Sequence, residues 1–178
     1  MSKTTILTFH PDLQASRANA ALLRAASAID GVEQVDMQAL YPGGTVDADA
    51  EAARLLGAGR IVLQFPLQWY STPPLLKSWQ DSVLTRMYYL RYEEEGRKLE
   101  GTPLMVAATA GNTPENYSAH GSAGFTLAEL LRPLQATAHR CLLPWAEPFL
   151  LYRANQLDDA ALEAAGEAYA AHLRRWEA

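Results

Sequence analysis

The sequence contains very little cysteine. Cys141 is the single cysteine among 178 residues, so an intramolecular disulfide and a cysteine-based metal site are both excluded. Because Cys141 lies in the run HRCLLPW, we expect it to pack as a small buried hydrophobic residue. The histidines show no metal-ligand spacing, and no metal site is expected. They are His10, His120, His139 and His172.

An excess of basic residues and a long apolar run are also missing. Fifteen basic residues against twenty acidic ones give a net charge of −5, which gives no support to binding of nucleic acid or of an anionic membrane. No apolar run approaches the roughly 18 residues that span a bilayer. The first residues, MSKTTILTFHP, do not have the organisation of a signal peptide. These features predict a cytoplasmic protein without a nucleic-acid partner.

Three common catalytic motifs are absent as well. The sequence has no G-x-G-x-x-G dinucleotide turn, no phosphate-binding P-loop and no G-x-S-x-G nucleophile motif. The composition, with 49% hydrophobic and 20% charged residues, is that of an ordinary globular protein. The length fits one domain that covers residues 1–178.

Short apolar segments alternate with helical ones along the whole chain. This alternation predicts one doubly wound parallel α/β sheet with helices on both faces, and five strands favour the flavodoxin-like order 2-1-3-4-5. The expected strands are 4–9, 32–36, 60–65, 103–109 and a segment within 142–151. The expected helices are about 17–28, 47–56, 75–84, 125–136 and 158–176, with a partly helical excursion over 86–100.

Prolines mark two irregular places in this pattern. Pro133 is expected to bend or end the helix that begins near Phe125. Pro144 and Pro148 predict that the fifth strand is an edge strand or is broken, because proline cannot donate a ladder hydrogen bond.

The stretch IVLQFPLQWYSTPPLLKSWQD, residues 61–81, organises the rest of the chain. A buried strand ends at Pro66, and a helix begins after two further prolines. Trp69 and Tyr70 therefore lie on a loop at the carboxyl end of a strand, where open α/β folds bind ligands. Either these rings contact a flat conjugated ligand, or they cap the core or fill an interface.

Three strand-end loops should converge: 10–19, 66–73 and 110–124. The first leads into a helix N-terminus, where Ser16, Asn19 and His10 could bind a phosphate. The alternative is that Ser16 is only a helix cap and that Asn19 forms local hydrogen bonds. The third contains Tyr117 and His120, which could donate to a substrate or a reduced ring, or could be ordinary surface residues. A phosphate site, an aromatic loop and a glycine loop together suit flavin mononucleotide (FMN).

Several motifs resemble the flavodoxin-like NAD(P)H:quinone oxidoreductase family. They are HP…S..N, QFPLQWYSTPPLLKSWQD, the TAG turn, RPLQAT and the closing LEAAGEAYAAHLRRWEA. Within the family, the resemblance is strongest to the small bacterial ancillary quinone oxidoreductases of glutathione-gated potassium efflux systems. It runs essentially from end to end.

The resemblance implies a homodimer that binds a flavin near the subunit interface and transfers hydride from NAD(P)H to a quinone in a two-electron reaction, which we expect to be ping-pong. We expect the flavin to be FMN rather than FAD because the chain is short. It also implies site residues by position. The cofactor-binding residues would be His10, Ser16, Arg17, Asn19, Pro66, Leu67, Gln68, Trp69, Tyr70, Thr109, Ala110, Gly111, Asn112 and Tyr117, and the catalytic residues Tyr117 and His120.

The sequence departs from the family pattern at several positions. The usual T-T-G-G turn is Thr109-Ala110-Gly111-Asn112, and Ser122 lies closer than His120 to the usual histidine position. The basic residue of W-x-D-R is replaced by Ser82, and the usual pocket-lining segment is replaced by Met87–Leu90. Since that segment lines the pocket in relatives, we expect it to determine substrate preference.

Three other functions remain open at this stage. The chain could be a regulatory ancillary subunit of a potassium efflux antiporter, attached through that partner to the inner face of the membrane. It could be a nitro- or azo-compound reductase, or a one-electron flavodoxin carrier. The residues do not choose between NADH and NADPH or identify the acceptor.

Overall fold

A computed structural model describes residues 3–176, which form a five-stranded parallel sheet in the order β2-β1-β3-β4-β5. This confirms the predicted order 2-1-3-4-5. The strands are β1 (Thr4–Thr8), β2 (Val32–Asp36), β3 (Arg60–Pro66), β4 (Leu104–Thr109) and β5 (Phe149–Leu151). β5 lies at the edge and is short, and a separate bridge between Leu104 and Trp145 precedes it, so the prediction of an edge or broken strand is confirmed.

Helices cover both faces of the sheet. The α-helices are α1 (Arg17–Ala26), α2 (Met37–Leu40), α3 (Ala48–Leu56), α4 (Pro74–Trp79), α5 (Arg97–Leu99), α6 (Leu127–Leu130), α7 (Arg132–Arg140) and α8 (Asp159–Arg175). One face of the sheet packs on α1 and α8 through residues such as Ile6, Val62 and Tyr169, and the other packs on α3, α4 and α7.

The helix after the central loop differs from the prediction in its hydrogen bonding. After Trp79 the chain continues as π-helix over Gln80–Leu84, Arg86–Leu90 and Tyr92–Gly96, so an α-helix over 75–84 was wrong beyond Trp79. π-Helical turns are rare and often mark functional sites. The last two π segments pack closely, because a Cβ at Gly96 would lie 2.5 Å from the carbonyl oxygen of Met87.

The expected helix over 125–136 is two helices. Thr126 and Glu129 form a capping box that starts α6, and α6 ends at Leu130. Pro133 then lies in the first turn of α7, which continues to Arg140. The expected helix is thus interrupted directly before Pro133, which confirms the prediction that this proline marks a bend or an end of the helix.

Within residues 3–176, no helix has the length and apolar character needed to cross a bilayer. The same residues contain no group of three or more His, Cys, Asp or Glu side chains arranged to hold a metal ion.

Candidate functional site

Thr109, the last residue of β4, joins the three predicted loops at the carboxyl edge of the sheet. Its carbonyl oxygen accepts from the N–H of Leu67 at 2.8 Å, and its Oγ1 accepts from Nδ2 of Asn19 at 3.1 Å. The parallel topology thus brings the loops after β1, β3 and β4 together, as their positions at strand ends require.

The first loop ends in a capped helix. Ser16 Oγ accepts from the N–H of Asn19 at 3.3 Å, which caps α1. Asn19 is only 1% exposed, and its side chain bonds to Ser16 and Thr109. Arg17 lies at the surface, paired with Asp159 at 2.6 Å. The outward-facing groups at this end of α1 are therefore its first backbone N–H groups.

His10 precedes this helix and is half-buried. Its Nδ1 accepts from the N–H of Asp12 at 3.1 Å, so the neutral ring carries its proton on Nε2 and donates from there. Burial lowers the pKa of His10 below its usual value, against the opposing effects of Asp12 and Asp36. The free protein therefore presents a neutral N–H donor at this position.

The second loop is a strained two-residue turn. Gln68 and Ser71 exchange backbone hydrogen bonds of 2.9 Å, and the two central residues have positive φ, 45° at Trp69 and 64° at Tyr70. Turns of this type favour asparagine and glycine, and residues with a Cβ are strained in them. Trp69 is 94% exposed, so it does not cap the core. The alternatives that remain for its ring are contact with a ligand and contact with a partner at an interface.

A loop that the sequence analysis missed orients the third loop. Residues 152–156 follow β5 and bind three successive carbonyl groups. The N–H of Ala154 donates to Ala110 at 3.0 Å, Nε2 of Gln156 to Gly111 at 3.3 Å, and the N–H of Arg153 to Asn112 at 3.0 Å. Because a peptide is planar and trans, the N–H groups that follow these carbonyls point away from the 152–156 loop. The position of this loop at the carboxyl end of a strand was the feature of the sequence that could have predicted its place at the site.

The two predicted catalytic residues have different surroundings. Tyr117 is partly buried, with its ring 6.0 Å from that of Tyr152. Burial raises the pKa of Tyr117, and Tyr70 and Tyr152 nearby raise it further, so its hydroxyl is a donor at neutral pH. His120 is exposed on the same loop. The catalytic role of both residues stays a prediction.

Asn116, which the sequence analysis did not single out, organises the third loop. Its Nδ2 donates to Oδ1 of Asn112 and Oγ1 of Thr113, both at 3.2 Å, and its Oδ1 accepts from Ser122 at 3.1 Å. The side chain of Asn112 is therefore engaged within the loop, and its backbone N–H is the group available to a ligand.

The Met87–Leu90 segment is held firmly at its base. Met87 and Tyr88 are buried, and the hydroxyl of Tyr88 donates to the carbonyl of Cys141 at 2.8 Å. Tyr89 and Leu90 are 70% and 76% exposed, beside a groove of about 500 Å³ that Tyr89 lines. These two residues are the part of the segment that can contact a ligand or a partner.

Arg86 and Glu95 fix the position of this segment. Nε of Arg86 lies 2.9 Å from Oε2 of Glu95, and Nη2 lies 2.7 Å from Oε1, which makes a bidentate ion pair across the two π segments. Arg86 also contacts Asp49 of α3 at 2.6 Å. The exposed pair Tyr89 and Leu90 is thus attached to the body of the protein at both ends.

Comparison with known proteins agrees with this architecture. A family described as having a flavodoxin-like fold matches residues 2–173. The chain belongs to this family. This flavodoxin-like chain is 38% identical to the glutathione-regulated potassium-efflux system ancillary protein KefF of Klebsiella pneumoniae (strain 342), over 97% of the chain and 95% of that protein. It is 35% identical to the uncharacterized NAD(P)H oxidoreductase YdeQ of Bacillus subtilis (strain 168), over 98% of this chain and 88% of that protein.

Solved structures extend the comparison. General stress protein 14 from Treponema denticola, in complex with FMN, has a TM-score of 0.84 at 31% identity, over 97% of this chain and 96% of that one. An NADPH-quinone reductase from P. pentosaceus has a TM-score of 0.84 at 26% identity, over 98% of this chain and 99% of that one. A protein described as a thermophilic tryptophan halogenase from Streptomycin violaceusniger has a TM-score of 0.89 at 34% identity, over 97% of this chain and 99% of that one. Similar chains of this fold thus carry different activity names.

Proposed function

We propose that this chain is an FMN-dependent NAD(P)H:quinone oxidoreductase that transfers two electrons in a ping-pong reaction. The observation that carries the proposal is the strained Trp69–Tyr70 turn, which lies on the same sheet edge as the N–H groups that follow Ala110 and Gly111. Backbone strain of this kind clusters at active sites and ligand-binding loops. An FMN-bound structure and relatives named as NAD(P)H oxidoreductases and quinone reductases support the assignment.

The donors present fit the parts of FMN. At one end, His10 Nε2–H, the Ser16 hydroxyl and the first N–H groups of α1 offer donors without a competing carboxylate in the first turn of the helix, which suits a phosphate. At the other, the N–H groups of Gly111 and Asn112 suit the polar edge of a conjugated ring, and they would stabilise negative charge there. Bound FMN would supply the two-electron chemistry.

Tyr117 would position the acceptor. A tyrosine hydroxyl is protonated at neutral pH, and the raised pKa of Tyr117 extends this to higher pH, so it can donate to a quinone oxygen or to the ring edge. Trp69, which is almost fully exposed, would cover one side of the site. The same open site can admit other flat acceptors, such as nitro or azo compounds.

The test begins with the purified protein. We expect a yellow preparation whose extracted flavin is FMN by mass spectrometry, and NADH or NADPH oxidation that depends on menadione. Initial rates at several menadione concentrations should give parallel double-reciprocal lines. A protein that binds neither FMN nor riboflavin and does not oxidise NAD(P)H with any of the quinone, nitro or azo acceptors would overturn the proposal.

We also propose a homodimer. Tyr89 and Leu90 project beside an apolar groove that includes Leu84, Leu130 and Leu134, so one copy can insert its exposed pair into the groove of another. Light scattering after size exclusion should give twice the chain mass for wild type, and a Leu90→Glu variant should be monomeric. A monomeric wild type would contradict the dimer.

A second candidate function is that of an ancillary subunit in potassium efflux. The 38% identity to KefF over 97% of the chain favours it, and it is compatible with oxidoreductase activity. Co-purification of the tagged chain with an antiporter from its own cells would support this function. Recovery of the chain alone, after gentle detergent extraction, would count against it.

A further inference from the structure

One face of the sheet changes from apolar to polar side chains at its carboxyl edge. Towards α1 and α8 it presents apolar residues such as Ile6 and Val62, and then three polar ones, Thr8, Gln64 and Thr109, which are at most 3% exposed. Asn19 of α1, 1% exposed, covers this corner. Burying polar groups is costly unless they form hydrogen bonds, so their arrangement requires a physical reason.

The backbone fixes the orientation of two amides. Nε2 of Gln64 lies 3.2 Å from the carbonyl oxygen of Asn19 and 3.2 Å from its Oδ1. A backbone carbonyl only accepts, so the amino group of Gln64 must face it. The oxygen of Asn19 then faces Gln64, and its Nδ2 must face the hydroxyls of Ser16 and Thr109.

This orientation determines what the Ser16 hydroxyl can do. Its oxygen accepts from the N–H of Asn19 at 3.3 Å and from Nδ2 of Asn19 at 3.2 Å. A hydroxyl has two acceptor positions and one hydrogen, so the remaining hydrogen can only be donated elsewhere. Arg17 and Ala18 lie beside it in the first turn, where backbone N–H groups have no intrahelical acceptor.

We propose that Gln64 and Asn19 are positioning residues that hold the Ser16 hydroxyl as a donor for the phosphate monoester of the cofactor. This inference rests on the proposed function, and it gives Asn19 a role different from the direct phosphate contact predicted from the sequence. Ser16 would touch the phosphate, while Asn19 and Gln64 act through it. A purely structural cap would stabilise α1 equally with or without a phosphate nearby.

The test compares FMN with riboflavin, which lacks the phosphate. Asn19→Asp keeps the size of the side chain and can still accept from Gln64, but it turns the donor that faces Ser16 into an acceptor. The Ser16 hydrogen then points to the new carboxylate instead of the ligand. We expect the Kd for FMN, from flavin fluorescence quenching, to rise by roughly tenfold or more, and the Kd for riboflavin to change less than about threefold.

A double-mutant cycle with Ser16→Ala separates positioning from charge repulsion. If Asn19 acts through Ser16, Asn19→Asp adds little in the Ser16→Ala background, whereas repulsion by the new carboxylate would add fully. Gln64→Met is the second variant if Asn19→Asp does not fold. It leaves Asn19 and every charge unchanged, and should weaken FMN selectively with unchanged far-ultraviolet circular dichroism.

Three outcomes overturn the inference. They are equal weakening of FMN and riboflavin, unchanged FMN affinity, or additive effects in the cycle. Each of these leaves the flavin-binding function in place. A wild-type chain that binds neither flavin overturns the proposed function and this inference together.

Discussion

Nε1 of Trp79 donates to Oε2 of Glu51 at 3.1 Å, and this bond ties α4 to α3 inside the protein. Glu51 is fully buried, and its other oxygen accepts from Tyr41 at 2.9 Å and Arg54 at 3.1 Å. The ring of Trp79 packs edge-to-face on Phe9 at 5.8 Å, directly before the first loop. The buried carboxylate of Glu51 therefore helps to hold the elements next to the first and second loops of the site in place.

Replacing Glu51 should destabilise the fold in proportion to the donors left without a partner. We expect Glu51→Ala to lower the free energy of unfolding by about 3–5 kcal/mol, because a partly buried arginine and two buried donors lose their acceptor. Glu51→Gln keeps one oxygen and should cost about 1–3 kcal/mol. Urea unfolding measures both, with the exposed Glu163→Ala as control. Equal effects of the two variants would contradict this interpretation.

Apolar periodicity and the positions of proline and glycine predicted most of the element bounds, and the alternation of five strands with helices predicted the sheet order. The apolar runs at 61–65 and 104–109 are buried on both faces, so their sequences clearly indicate central strands. The π-helical turns after Trp79 were not predicted, and the last two of them are accompanied by the close packing of Gly96 against Met87 and by the Arg86–Glu95 pair. Such contacts join residues whose spacing carries no periodic signal.

The site was predictable in outline only. Strand ends located the three loops, but the positive φ at Trp69 and Tyr70 opposes local propensity and is imposed by the folded protein. Gln64, a polar residue within an apolar strand, was a visible signal whose meaning depended on Asn19, 45 positions away. The 152–156 loop was missed although the strand-end rule applied to it.

Relieving the strained turn should stabilise the protein and impair its site. We expect the double variant Trp69→Asn with Tyr70→Gly to raise the free energy of unfolding by about 1–3 kcal/mol without flavin, because these residues suit positive φ. Loss of two rings should raise the Kd for riboflavin by roughly tenfold. Thermal unfolding and fluorescence titration measure the two effects. A destabilised variant would show that the turn is not strained.

Tyr117 and His120 should respond differently to substitution. We expect Tyr117→Phe to lower kcat/KM for menadione by roughly tenfold, since a donor near the ring edge is lost. His120→Ala, at an exposed position, should change it by less than about twofold. Steady-state kinetics with saturating FMN provide the comparison. A larger effect of His120→Ala would assign the donor role to the histidine.

Cys141 should be inert in the folded protein. The side chain is 3% exposed, and burial raises its pKa to about 11, so few thiols are ionised at neutral pH. Since the thiolate is the reactive form, we expect no labelling by iodoacetamide at neutral pH within the time that labels the unfolded chain. The same protein in guanidinium should label fully. Rapid modification of the native state would mean that α7 opens at its carboxyl end.

The pKa of His10 should lie below 6.5 in the free protein, because burial outweighs the nearby carboxylates. The unfolded chain then binds a proton more readily than the folded one. This contribution to stability is therefore present above pH 6.5 and is lost as pH falls through the folded pKa. Bound phosphate should reverse the shift, since an anion beside the ring favours the charged form.

NMR titration of the imidazole C2 proton, assigned with a His10→Asn variant, measures this pKa without and with FMN. We expect a value below 6.5 without FMN and a higher value with it. Riboflavin is the matched control, because it fills the ring site without placing an anion beside His10. An equal rise with riboflavin would show that the ring, and not the phosphate, acts on His10. No rise with bound FMN would place the phosphate elsewhere.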